Sequence, residues 1–218
     1  MLSYTRPDAA PAVFHDAAGS VIEYGNRWGG ESPPEESYSV ISNPERFEPL
    51  HAVAEALIDA LIADYDVSVV DDVAAASDLM HPRDDVVRAV RLTPADAAAA
   101  PLTFVLTSLP SVLVHAGLLQ DFFYPVCTCD ACDEDVERIA DQLEWEIETI
   151  VTGGFSEYVH PDVVSFRLTG PDGSRSGSGR MNGPASARLI AAERRLAAID
   201  GWTAWRHRSE RRVREEKS

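Results

Sequence analysis

The chain has 218 residues, 45% hydrophobic and 25% charged, and its 19 Lys and Arg against 36 Asp and Glu give a formal charge of −17. That is enough apolar material for a core, which excludes general disorder, and no strict repeat points to a collagen-like or coiled-coil class. No apolar run reaches the roughly 18–20 residues of a membrane span, and the first ten residues hold no apolar signal region, so a cytoplasmic chain with no membrane association is expected.

Residues 1–42 are loop-rich, with many Pro, Gly and acidic residues. Val13 and Phe14, a turn over 16–19, and then Val21, Ile22 and Tyr24 predict one short hairpin. Trp28-Gly29-Gly30 and Pro33-Pro34 read as loop. Asn43 is a good helix cap, Pro44 suits the first helical position, and Glu45 suits the positive end of the dipole. Leu50, Val53, Leu57, Leu61 and Tyr65 then recur on one stripe, so the spacing predicts a helix over 44–65. Strands are predicted over 67–70, 86–92, 102–107 and 112–116, with 108–111 able to turn the last two into a hairpin. Residues 71–85 look irregular and acidic, and 94–101 reads as a linker or a short capped turn.

Asp133 can cap a second helix whose stripe is Val136, Ile139, Ala140, Leu143, Ile147 and Ile150, and Gly153-Gly154 ends it. Trp145 lies opposite that stripe among acidic residues, either as a partner surface or packed under the N-terminal segment. Strands recur over 155–159 and 163–168, and the Gly/Ser-rich run 173–179 turns back as a third. A last helix is predicted over 184–199 through Leu189, Ala192, Leu196 and Ile199. Neighbouring strands with short turns favour antiparallel pairing. The expectation is therefore an α+β single domain, a mostly antiparallel sheet with about three helices packed on it. Its parts are a segment over 1–42 with a short hairpin, a core domain over 43–200, and a basic tail over 201–218.

Charge is distributed unevenly. Residues 1–187 carry 10 basic and 31 acidic side chains, a net −21, whereas residues 188–218 carry 9 and 5, a net +4. Such a body repels nucleic-acid phosphates and could attract a basic protein partner. The tail could act as a basic arm. The preferred expectation is that it folds back, with Trp202 and Trp205 as anchors and its arginines paired to surface acids.

All three cysteines fall within six residues: Cys127, Cys129 and Cys132. An odd count in so short a run argues against a secreted disulfide framework. Thiols at these spacings can converge from a loop that enters a helix, and thiolates hold Zn²⁺ at about 2.3 Å, usually as one of four ligands. His115, on the preceding predicted strand, is the nearest candidate for the fourth; Asp121, Asp130, Asp133, Asp135 and His160 are alternatives. The competing readings are three thiols without metal, or a redox pair of Cys129 and Cys132 with Cys127 resolving. The acidic neighbours would raise thiol pKa values and weaken the redox reading.

Other polar groups are more diffuse. Asn26, Arg27 and Trp28 with Tyr38, Arg46 and His51 either line a small pocket or cover the core and pair with acids. The run 177–183 could cradle an anion but matches no phosphate-loop spacing, and a flexible hairpin turn is the plainer reading. No H-E-x-x-H or G-x-S-x-G pattern is present.

Several runs carry a resemblance. They are Tyr24-Gly-Asn-Arg-Trp28, Tyr38-Ser-Val40, Pro44-Glu-Arg-Phe47-x-x-Leu50-His51, and Cys127-x-Cys129-Asp-x-Cys132-Asp-Glu134. Gly153-Gly154-x-Ser-Glu157 and Ser176-Gly-Ser-Gly-Arg180 join them. Together they resemble an actinobacterial family of domains of unknown function, over nearly the whole chain. The resemblance implies that the cysteine run is a family feature; it brings no activity, fold or ligand. The expected function is a non-enzymatic binding or interaction domain with a structural zinc site. The alternatives are a zinc-dependent metalloenzyme with an open water position and Asp133 or Glu134 as base, or a thiol redox sensor.

Overall fold

Two prolines shape the first helical region in the computed structural model, which describes residues 2–8, 12–160, 163–180, 187–199 and 201–209. Pro44 opens a 3₁₀ stretch, Pro44–Phe47, and Pro49 opens α1, Pro49–Asp64. Pro49 has no N–H to bond back to Glu45, so the helix expected over 44–65 breaks in two. Asn43 is not its cap. It sits in the left-handed region at φ 49°, and its side-chain amide donates to the Tyr24 hydroxyl at 2.9 Å. The expected stripe holds: Leu50, Val53, Leu57 and Leu61 are buried, and Ala54 and Ile58 beside them.

Five strands follow: β1 (Val67–Asp71), β2 (Val86–Pro94), β3 (Leu102–Thr107), β4 (Val112–Ala116) and β5 (Gln120–Tyr124). They form one antiparallel sheet in chain order. The fifth strand is absent from the sequence expectation. Gly117, at φ 66°, turns the chain into it, and Phe122 and Tyr124 then enter the core. Both faces of this sheet are covered at β3 and β4, whereas β1 is largely exposed. Leu92, Phe104, Val114 and Phe122 meet α1 and the second helix in the main core. Ala89, Val105 and Leu113 on the other face meet Ala75 and Leu79, beside the 3₁₀ stretch Val73–Asp78. Hence β3 and β4 are buried at every position and read as mostly apolar runs, interrupted by Thr103, Thr107 and His115, rather than as alternation.

α2 (Val136–Val151) is capped by Asp135, whose carboxylate accepts the Glu137 N–H at 3.1 Å, and not by Asp133. Asp133 is left-handed at φ 49° and accepts the Arg27 N–H at 2.7 Å instead. Trp145 is half-buried against the core and lies over Gly170, where a Cβ would stand 3.1 Å from its indole nitrogen. It is thus neither a bare partner surface nor covered by the N-terminal segment alone. That segment does reach α2: Arg6 bonds Glu137 at 3.0 Å and Asp141 and Glu144 at 2.5 Å each.

The remaining strands form a second antiparallel sheet, β6 (Phe155–His160), β7 (Val163–Gly170) and β8 (Gly173–Arg180). Phe155 and Leu168 join the main core. Fully buried Glu146 of α2 is satisfied by the Tyr124 hydroxyl, by Gln142 at 3.0 Å and by Arg175 of β8. α3 (Ala187–Ala197) packs Leu189 and Ala192 against Leu119 and Val164. Its expected start at 184, and part of the candidate anion loop over 177–183, lie outside the described residues. The chain is thus an α+β domain, its strands divided between two sheets. Among the described residues no helix is long and apolar enough to cross a membrane.

The described part of the tail completes the core. Trp202 and Trp205 are buried in it, the latter donating its indole N–H to the Ala100 carbonyl at 2.8 Å. Backbone bonds run from Thr203 N to Ala98 O, Trp205 N to Val151 O and Asp66 N to Arg206 O. Arg206 pairs with Asp96 at 3.7 Å, and Arg208 donates to the Tyr65 carbonyl. Arg211, Arg212 and Arg214 lie outside the described residues.

Candidate metal centre

The cysteine run sits between β5 and α2. A 3₁₀ turn, Asp130–Cys132, draws the three side chains together. The sulfurs of Cys127 and Cys129 are 3.2 Å apart, those of Cys129 and Cys132 3.5 Å, and all three lie within 4.8 Å of one another. Ligands at about 2.3 Å around a tetrahedral zinc stand roughly 3.8 Å apart, so the thiols already occupy a ligand-sized triangle. Cys127 and Cys129 are half-buried and Cys132 is exposed.

The loop is anchored where the N-terminal segment crosses it. Buried Asp130 donates its N–H to the Val40 carbonyl at 2.8 Å and accepts the Ser42 N–H at 2.9 Å. Arg27 and Arg46 flank its carboxylate at 3.6 and 3.7 Å. Burial opposes ionisation there, but the Ser42 bonds and the two guanidiniums together hold the carboxyl below its ordinary range. Arg46 itself is buried, stacked on Tyr24 and Phe47 at 4.1 and 4.3 Å. The group around Arg27, Trp28 and Arg46 therefore covers the core and pairs with an acid. His51 turns to the Ser111 carbonyl at 3.2 Å, and Tyr38 is exposed.

Cys129 and Cys132 respond to the neighbouring thiols more than to the acids. A hydrogen bond with Cys127, aided by the N–H groups of Cys132 and Ser39, brings the Cys129 thiol down to about 7. Its bond with Cys127, burial and the neighbouring Cys129 push Cys132 up to about 12. The expected general upward shift from Asp130, Asp133, Glu134 and Asp135 is not what governs them. Burial raises Glu134 above the ordinary carboxylate range, with Arg46 opposing.

His115 is not part of this group. Its Nδ1 faces Asp121 at 2.7 Å and its Nε2 faces Arg188 at 3.0 Å, on the sheet face away from α1. Among the described residues no fourth His, Cys, Asp or Glu side chain joins the three sulfurs. A cleft of about 320 Å³ opens beside Cys132, bordered by Trp28, Asp133 and Glu134. One Asp133 oxygen and the Trp28 indole nitrogen are buried there without a partner among the described residues.

A family model described as a family of unknown function, DUF6226, matches residues 10–209. The chain belongs to this family. No curated protein and no solved structure matches the DUF6226 chain.

Proposed function

We propose that this DUF6226 chain is a non-enzymatic, cytoplasmic binding domain in which zinc, held by Cys127, Cys129 and Cys132, fixes the loop that leads into α2 and on which the N-terminal segment is anchored. The observation that carries the metal is the triangle of three sulfurs within 4.8 Å, on a loop already anchored at Asp130 and Asp133. Soft thiolates at this spacing suit Zn²⁺. The cysteine run is read as a family motif on the resemblance of Cys127-x-Cys129-Asp-x-Cys132-Asp-Glu134 alone. Free thiols fit a reducing compartment. The net charge of −17 favours a basic protein as partner.

A zinc-dependent enzyme is the second reading. Cys132 is exposed beside a cleft, so a fourth position on the metal would face solvent, where water could be activated.

Metal content by mass spectrometry of untagged protein, with thiol counts before and after denaturation, tests the site. One zinc per chain with masked thiols, and loss of both in Cys129→Ser, supports it. Three reactive thiols that stay reactive after zinc addition overturn it. With cobalt in place of zinc, a spectrum that shifts on adding azide identifies an open position and favours the enzyme; an unchanged spectrum favours the structural site.

A further inference from the structure

The second face of the five-stranded sheet carries a row of polar residues in register. Arg91 of β2 pairs with Thr103 of β3, Thr103 with His115 of β4, and His115 with Asp121 of β5. A neighbouring row, Ala89, Val105 and Leu113, is apolar and covered. Thr103 and His115 are buried, and burial of polar groups is costly unless each is bonded. The row is bonded throughout. Asp78 accepts the Thr103 hydroxyl at 2.6 Å and two Arg91 nitrogens at 2.5 Å. Asp121 faces His115 at 2.7 Å and accepts the Met80 N–H at 2.8 Å.

Arg188, from the first turn of α3, closes the row. It donates to the carbonyls of Asp78, Leu79 and Leu118, and to His115 Nε2 at 3.0 Å. A guanidinium only donates, so Nε2 accepts and the ring proton sits on Nδ1, where Asp121 accepts it. Arg188 is thus a fixed positive charge with no rotamer freedom left to lose.

These side chains line a cleft of about 480 Å³ whose apolar walls include Pro101, Leu118 and Ala192, with Arg195 also at its border. That volume lies within the roughly 300–1,000 Å³ of small-molecule sites. Among the described residues Arg91, Arg188 and Arg195 share one lining carboxylate, Asp78, with Asp121 behind His115 and Glu157 behind Gly117. A chain of net charge −17 with only 19 basic residues has collected three of them in one cavity. Asp78 occupies Arg91 through Nε and one terminal nitrogen, leaving the other. Among the described residues the Arg195 side chain makes one bond, to the Ala97 carbonyl.

The geometry points to a binding site for a small organic oxyanion, a carboxylate or phosphate monoester on a compact apolar body, in the cleft lined by Arg91, His115, Arg188 and Arg195. The apolar walls take the body, and the anionic group is taken by the donors left over, those of Arg195 and the terminal nitrogen of Arg91 that Asp78 leaves, beside the fixed charge of Arg188. The inference does not depend on the cysteine site.

Histidine-labelled protein can be titrated with benzoate, phenyl phosphate, inorganic phosphate and neutral benzamide while the His115 ring nitrogens are followed by NMR. Benzoate or phenyl phosphate should give saturable shifts, and benzamide none. Saturation by one of the two anions alone assigns the class. Arg195→Gln, which among the described residues gives up only the bond to the Ala97 carbonyl, should weaken binding about tenfold, and Arg195→Glu further. Arg6→Gln, on the α2 surface, should leave it unchanged. No saturation by either aromatic anion up to about 10 mM, or saturation that neither Arg195 variant weakens, overturns the proposal.

Discussion

Replacing Glu157 by Gln removes a carboxylate that is 6% exposed and tied to three donors. It accepts the N–H of Leu119 at 2.9 Å, that of Leu118 at 3.1 Å, and the Trp202 indole N–H at 2.9 Å. Burial outweighs these donors and the positive charge of Arg188, and raises the carboxyl to about 7 from its ordinary 4.5. The native state therefore keeps a proton that the unfolded chain has lost between those values. The stabilisation is whole below the unfolded value and is lost as pH rises through about 7. At about 1.4 kcal/mol per unit, the loss is on the order of 3 kcal/mol. Gln cannot ionise, and it turns one acceptor into a donor facing an N–H, a cost of roughly 1–3 kcal/mol with little pH dependence. Urea unfolding of both proteins between about pH 5 and pH 8 isolates the effect, because other titrations cancel in the difference. The wild type should lead at the acid end, and its lead should shrink by on the order of 3 kcal/mol toward the alkaline end. A lead that stays flat or widens with pH would refute the reasoning, since the three donors would then outweigh burial.

Gly117→Ala places a methyl group inside the Glu157 carboxylate at a residue with φ 66°. It should cost roughly 2–4 kcal/mol, read as a lower denaturation midpoint at unchanged slope; a loss under about 0.5 kcal/mol would contradict the packing. Trp205→Ala empties a site that is 3% exposed and strands the Ala100 carbonyl. A loss of about 3–5 kcal/mol is expected by the same assay, against a negligible loss if residues 202–208 were a loose tail. Arg6→Ala removes three ion pairs whose partners Glu137 and Asp141 are 59% and 69% exposed. Its cost should stay below about 1 kcal/mol and fall further in concentrated salt; a larger, salt-independent cost would mean that the N-terminal segment carries core packing instead.

Local patterns were legible where their causes are local. The stripes of α1 and α2 follow helical spacing, and β3 and β4 announce themselves as mostly apolar runs because both sheet faces are covered there. The three thiols were legible because neighbours in sequence need only one turn to meet. The cap of α2 was not. Asp133 and Asp135 are equal candidates until Arg27, 106 residues away, takes Asp133. The fate of His115 depended on β5 and on register. Once Asp121 stands opposite it, the ring is committed to the far face of the sheet, away from the cysteines. The cleft on that face joins residues from Asp78 to Arg195, a span that no motif spacing can express.

The tryptophans of the tail bear on how the chain is made. A ribosome delivers α1, the five-stranded sheet and α2 well before it delivers Trp202 and Trp205, which close the main core and bond Glu157 and Ala100. Until those residues emerge, the nascent protein exposes an apolar slot beside Val151 and a buried-type carboxylate with one donor missing. Native structure should therefore lock late, in a single step once residue 205 is free of the exit tunnel, and a stalled chain ending before it is a natural client for chaperones.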